Sequence, residues 1–85
     1  MAQIRVEEVG AGQHPSEVVV AIETAEGHKE KLVIDRRSIR NQMIDVGYPV
    51  GDSGDLLLVE LPRESIRGLW RVWVPKGSVV QAASA

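Results

Sequence analysis

Along most of the chain hydrophobic positions recur at every second residue. Ile4 and Val6 alternate with Gln3, Arg5 and Glu7, which predicts a strand with one buried face. The run from Ala11 to Ser16, with Gly12 and Pro15, interrupts the pattern and predicts a loop. From Glu17 to Thr24, Val18, Val20 and Ile22 fall on one face, and Val19 and Ala21 on the other. A strand apolar on both sides needs cover on both. Ala25-Glu26-Gly27 reads as a tight turn, after which Lys29 to Ile34 sets Leu32 and Ile34 against Lys31 and Val33. Together the two segments predict a hairpin.

After Ile34 the spacing changes. Asp35 is a good N-cap, its carboxylate able to accept from the free amides of a first helical turn. Ile39, Met43 and Val46 then stand at i, i+4 and i+7, Gly47 suits a left-handed C-cap, and Pro49 blocks continuation. This predicts a helix over Arg36 to Val46, about three turns long, with Arg36, Arg37 and Arg40 on its outward side. Residues 47–54, rich in Gly, read as a loop. Asp55 to Leu61 is a second strand apolar on both faces, with Leu56 and Leu58 opposed to Leu57, Val59 and Leu61.

Pro62 to Ser65 suggests a single turn. Leu69 to Val74 is the last clear strand, with Trp70, Val72 and Val74 on one face and Leu69, Arg71 and Trp73 on the other. Val79 and Val80 add a short pairing segment. The order β-β-β-α-β-β predicts an α+β domain, mainly an antiparallel sheet or a small, partly open β-barrel, with one helix. Residues 1–80 are expected to form one domain and residues 81–85 a fraying tail.

Composition narrows the class. A chain of 85 residues suffices for one modest core, and 44% hydrophobic content with a net charge of -2 is not the signature of disorder. Phe is absent, so the core must come from Val, Ile and Leu, with Trp70 and Trp73 as its largest candidates. Cys is absent too, which removes disulfides and thiolate metal sites. No apolar run approaches the roughly 18 residues of a spanning helix, and Met1 to Arg5 lacks the apolar stretch of a signal peptide. A cytoplasmic protein with no membrane partner is the expectation.

Charge is unevenly placed. Residues 1–30 carry -4, residues 31–45 +2, residues 46–60 -3 and residues 61–85 +3. Such segments either meet in the fold and cancel, or leave a dipolar surface.

One tetrapeptide invites a catalytic reading. Gly51-Asp52-Ser53-Gly54 resembles the stretch around the nucleophile of trypsin-like serine proteases, and His14 with Asp35 or Asp45 precedes it in the order of a triad. A triad needs a base and an orienting acid held against the serine on rigid structure, with an oxyanion hole. The protease motif continues with a further Gly where this chain has Asp55, and Gly, Asp and Ser are the ordinary residues of turns. The stretch is read as a turn, and no catalytic residue is assigned. The two His lack ligand spacing, and Asp52 with Asp55 lacks the further oxygen ligands of a calcium loop. No metal and no cofactor is expected.

Two binding readings remain. Trp and Arg are the commonest interface hot spots, and Leu69, Arg71 and Trp73 share one strand face, so contact with another protein or with a second copy is the first reading. Nucleic-acid binding is the alternative, with bases stacked on Trp73 and phosphates held by Arg36, Arg37, Arg40, Arg63, Arg67 and Arg71. A pI near 5.6 and Tyr48 as the single Tyr weigh against it. The expected function is that of a non-enzymatic binding module.

Overall fold

The structure, a computed structural model, describes residues 2–81, and in it period two prevails. The described residues form nine short strands: β1 (Ala2–Arg5), β2 (Glu7–Ala11), β3 (Glu17–Glu23), β4 (Lys29–Asp35), β5 (Met43–Val46), β6 (Gly51–Ser53), β7 (Leu56–Glu60), β8 (Arg71–Pro75) and β9 (Val79–Gln81). Single turns of 3-10 helix occupy Ala25–Gly27, Arg36–Ser38 and Lys76–Ser78. The fold is all-β, with three small antiparallel sheets ordered β5-β1-β9, β2-β3-β4 and β6-β7-β8. The α+β expectation, and with it the helix over Arg36 to Val46, is overturned.

The reason lies in two patterns that overlap. Asp35 does cap, its Oδ1 accepting from the Arg37 amide at 2.8 Å, but the cap serves one 3-10 turn. Arg40 and Met43 then exchange two backbone hydrogen bonds of 2.9 Å across a two-residue connection. Asn41 and Gln42 hold φ of 53° and 61°, the left-handed pair that a type I′ hairpin demands. Beyond the turn, β-branched Ile44 and Val46 fill core positions at spacing two. They compete with the helical set Ile39, Met43 and Val46, and they win because β1 offers a partner: Ile4 pairs with Ile44 and Ala2 with Val46. As a helix, the same segment would leave that edge of β1 without its ladder.

Only Val6 separates β1 from β2, so the two are one bent strand. Its first half pairs with β5 and β9, its second half with β3, and a register shift between Glu8 and Gly10 marks a bulge. The bend joins two sheets around a single core, in which Ile4, Val20, Ile22, Leu32, Ile44 and Val59 are closed to solvent.

The hairpin of β3 and β4 runs in unbroken register from Glu17–Asp35 to Glu23–Lys29, as its alternation predicts. Differences gather in the second half. The loop expected over residues 47–54 contributes β6 to the edge of β7. The turn expected at Pro62 to Ser65 sits later, where the Gly68 amide donates to the Ser65 carbonyl at 2.9 Å and the Leu69 amide to Ser65 Oγ at 3.0 Å. The Ile66 amide donates to the Lys31 carbonyl at 2.8 Å and fastens this loop to β4. Gln81, expected in a tail, pairs with Ala2 in β9, and residues 82–85 of that tail lie outside the described residues.

Candidate functional site

The outward face of the β6-β7-β8 sheet carries its own apolar row. Register places Gly51 beside Leu58 and Leu58 beside Trp73, with Leu56 against Pro75 and Glu60 against Arg71. Val59 and Val74, on the other face, are closed to solvent. The Trp73 indole reaches across Leu58 to Gly51: a Cβ on Gly51 would stand 3.2 Å from Trp73 Cη2 and 3.0 Å from Leu58 Cβ. The second apolar face of β7 thus gets its cover from a tryptophan, in the absence of the expected helix. That cover is partial, since Trp73 remains 37% exposed.

Between β8 and the turn at Ala25–Gly27 lies a shallow groove of about 380 Å³. Leu69, Arg71 and Trp73 all line it, and Arg67 stands with them. The sequence places these three on one strand face; the structure brings them together although β8 begins only at Arg71. Ile66 and Trp70, on the loop that leads into β8, are 61% and 56% exposed. Alternation puts Trp70 on the face of Val72 and Val74 and makes it a candidate for the core. The ladder ends there instead, with the Leu61 amide donating to the Trp70 carbonyl at 2.8 Å, and the side chain is left exposed. Neither tryptophan belongs to the buried core.

One residue pair at the groove escaped the sequence reading. Glu30 is 3% exposed, on the inward face of β4 opposite Ile22. Its carboxylate accepts from Arg67 Nε at 3.0 Å and lies 2.9 Å from Arg67 Nη2. A carboxylate at a buried position must find a partner, because desolvation of an unpaired charge is costly. The signal was present in the alternation of β4, where Glu30 occupies the same face as Leu32 and Ile34.

The other arginines are dispersed. Arg36 meets Glu8 at 3.0 Å, Arg37 meets Asp35 at 3.4 Å and Arg71 meets Glu60 at 3.3 Å. Arg37, Arg40 and Arg63 line a separate groove with Asp35 and Asp45. The set assigned to nucleic acid is thereby divided, with Arg67, Arg71 and Trp73 in one groove and Arg37, Arg40 and Arg63 in another. The uneven charge along the chain cancels in part on folding: Arg67 pairs back to Glu30, and Arg71 and Lys76 pair with Glu60 and Asp52. The carboxyl of Asp35 is held below the usual aspartate range, chiefly by the hydrogen bond from the Arg37 amide and then by that from the Arg37 side chain.

The residues of the protease-like motif serve local structure. Ser53 is exposed on β6 opposite Leu56, and Gly54 takes φ of 61° in the turn to β7. The His14 amide donates to Glu17 at 3.4 Å, Asp45 accepts from Gln3 at 3.1 Å, and Asp35 is engaged by Arg37. Among the described residues no three His, Cys, Asp or Glu stand together as metal ligands, and no helix is long and apolar enough to cross a membrane. Set against protein-family models, curated proteins and solved structures, the chain matches none.

Proposed function

We propose that this chain is a non-enzymatic binding module that docks another protein on the surface formed by the loop 62–70 and β8. One observation carries the reading. Ile66, Leu69, Trp70 and Trp73, four large apolar side chains within eight residues, are 61%, 37%, 56% and 37% exposed. Single exposed hydrophobic residues are ordinary, but four within eight residues, two of them (Leu69 and Trp73) lining one groove with Arg67 and Arg71, have the composition of a contact surface. Trp73 and Leu69 serve as anchors in the groove, and Arg71 supplies a charged rim. The loop is fastened through the Ile66 amide and Ser65, so its backbone is fixed before a partner arrives and less backbone entropy is lost on binding.

The division of the arginines and their pairing with carboxylates favours protein over nucleic acid as the occupant. Amide NMR titration with a mixed-sequence single-stranded oligonucleotide at two salt concentrations, with light scattering on the same sample, tests this. Absence of shifts at residues 66–73 is the expected result. Salt-sensitive shifts at Arg71, Trp73 and residues 36–40 would replace the reading with nucleic-acid binding. A mass of two chains, lost on Trp73→Ala, would make the docked protein a second copy.

A further inference from the structure

We infer that Arg67, held by buried Glu30, reads a carboxylate on the docked protein, so that the groove takes an acidic segment carrying an apolar anchor. The inference rests on the protein-docking reading and names the chemistry of the partner. Arg67 is unlike the other cations of the surface. Its side chain is 73% exposed, yet Nε and Nη2 are fixed on a carboxylate that is only 3% exposed. A guanidinium has five N–H donors in a rigid fork. Glu30 engages the edge formed by Nε and Nη2 and leaves the remaining hydrogens of Nη1 and Nη2 turned away from it. The side chain is therefore ordered before any ligand arrives, and its free donors match the planar geometry of a second carboxylate.

Charge around the groove agrees. Of the cations that line it, Lys29 and Arg71 are paired with Glu7 and Glu60 outside the lining, which leaves Arg67, engaged by Glu30 on one edge of its fork, as the one that offers a carboxylate its other edge. Leu69 and Trp73 are the large apolar residues of the lining, against which an anchor side chain packs next to the carboxylate. A nucleic-acid strand suits the surface less well. A polyanion extending beyond so short a groove meets Glu7 and Glu60, which pair with Lys29 and Arg71 at its margins. A peptide with one Asp or Glu beside a Leu, Phe or Trp needs no longer track. Glu30 acts here as a positioning residue, through Arg67.

The test is selection of a displayed random twelve-residue peptide library on the full chain, followed by calorimetry of the enriched peptide. Enriched sequences are expected to pair Asp or Glu with an aromatic or leucine residue. Replacing that acid by its amide should weaken binding about tenfold to the native chain, as for a charge-assisted hydrogen-bonded pair. The same replacement should weaken binding only about twofold to threefold on Arg67→Lys, which keeps the charge and loses the fork. It should have no effect on the double variant Glu30→Gln with Arg67→Gln, which leaves no buried charge unpaired and so keeps the fold. Equal weakening on all three proteins, or enrichment of neutral or basic peptides that Trp73→Ala still abolishes, overturns the carboxylate inference and leaves protein docking standing. Enrichment that Trp73→Ala and Leu69→Ala do not affect overturns both, as does a groove that takes an oligo-dT strand and no peptide.

Discussion

Replacing Arg67 by Ala tests whether the Glu30–Arg67 pair is a buried, organised element or an ordinary surface contact. The two Glu30 oxygens lie 3.0 and 3.3 Å from Arg67 Nε, and the Glu30 side chain is 3% exposed. Breaking an ion pair buried at both ends costs about 3–5 kcal/mol, because one charge stays behind without a partner. Arg67 is 73% exposed, and its removal also admits water to Glu30, which brings the expected loss to about 2–3 kcal/mol. Arg71→Ala is the internal control. Its pair with Glu60 has side chains 59% and 48% exposed, and such contacts contribute about 0–1 kcal/mol. With a urea slope of about 1–1.5 kcal/mol/M for a domain this small, Arg67→Ala lowers the midpoint by roughly 2 M and Arg71→Ala by less than about 1 M. Far-UV circular dichroism in urea reads both. Equal midpoint shifts would refute the assignment of Glu30 as a buried charge dependent on Arg67. The double variant Glu30→Gln with Arg67→Gln should recover most of the loss, since a neutral pair leaves no stranded charge.

Further substitutions examine other elements. Gly51→Val pushes a side chain into the space over which Trp73 lies, so the Trp73 indole N–H resonance should move while stability falls by about 1 kcal/mol; an unmoved resonance contradicts the packing of that ring. Gln42→Gly relieves a left-handed residue in the Asn41–Gln42 turn and should stabilise the fold by about 0.5–1 kcal/mol in thermal or urea unfolding; destabilisation would mean the turn is not under strain. Asp35 is depressed, so the stability it lends is fully present above the pKa of unfolded aspartate and is lost as pH falls through the lower folded value. An NMR titration of the Arg37 amide should therefore show a midpoint below that of aspartate in a disordered peptide, and Asp35→Asn should abolish the step.

In the first half of the chain β1, β3 and β4 were legible because their alternation declares their faces, and Gly27 marks the hairpin turn between β3 and β4; β2, exposed at every residue, carries no such alternation and was not marked as a strand of its own. The helix reading failed at one place, where Ile39, Met43 and Val46 fit a helical stripe while Ile44 and Val46 fit a strand. What decides between them is the pairing of β5 with β1, separated from it by some forty positions in sequence, and local spacing holds no information about such a partner. The turn itself was hidden because Asn41-Gln42 adopts the conformation usually announced by Asn-Gly. Leu69, Arg71 and Trp73 could be singled out because alternation put them together away from Val72 and Val74. Arg67 was grouped with the other arginines because its chain position gives no hint of Glu30, which is brought to it by a backbone bond between Ile66 and Lys31. The exposure of Trp70 could not be seen either, since it depends on where the β7–β8 ladder stops.

The reading of residues 66–73 as a protein-docking surface is tested most directly by photo-crosslinking in the cell that makes the chain. A benzophenone amino acid replaces Leu69 in one version and, as control, Val9, which is 44% exposed on β2. Adducts at position 69 that resist nuclease, yield to protease and vanish with Trp73→Ala are the expected result. Adducts at position 69 that nuclease removes, or adducts of equal yield at positions 69 and 9, would contradict it.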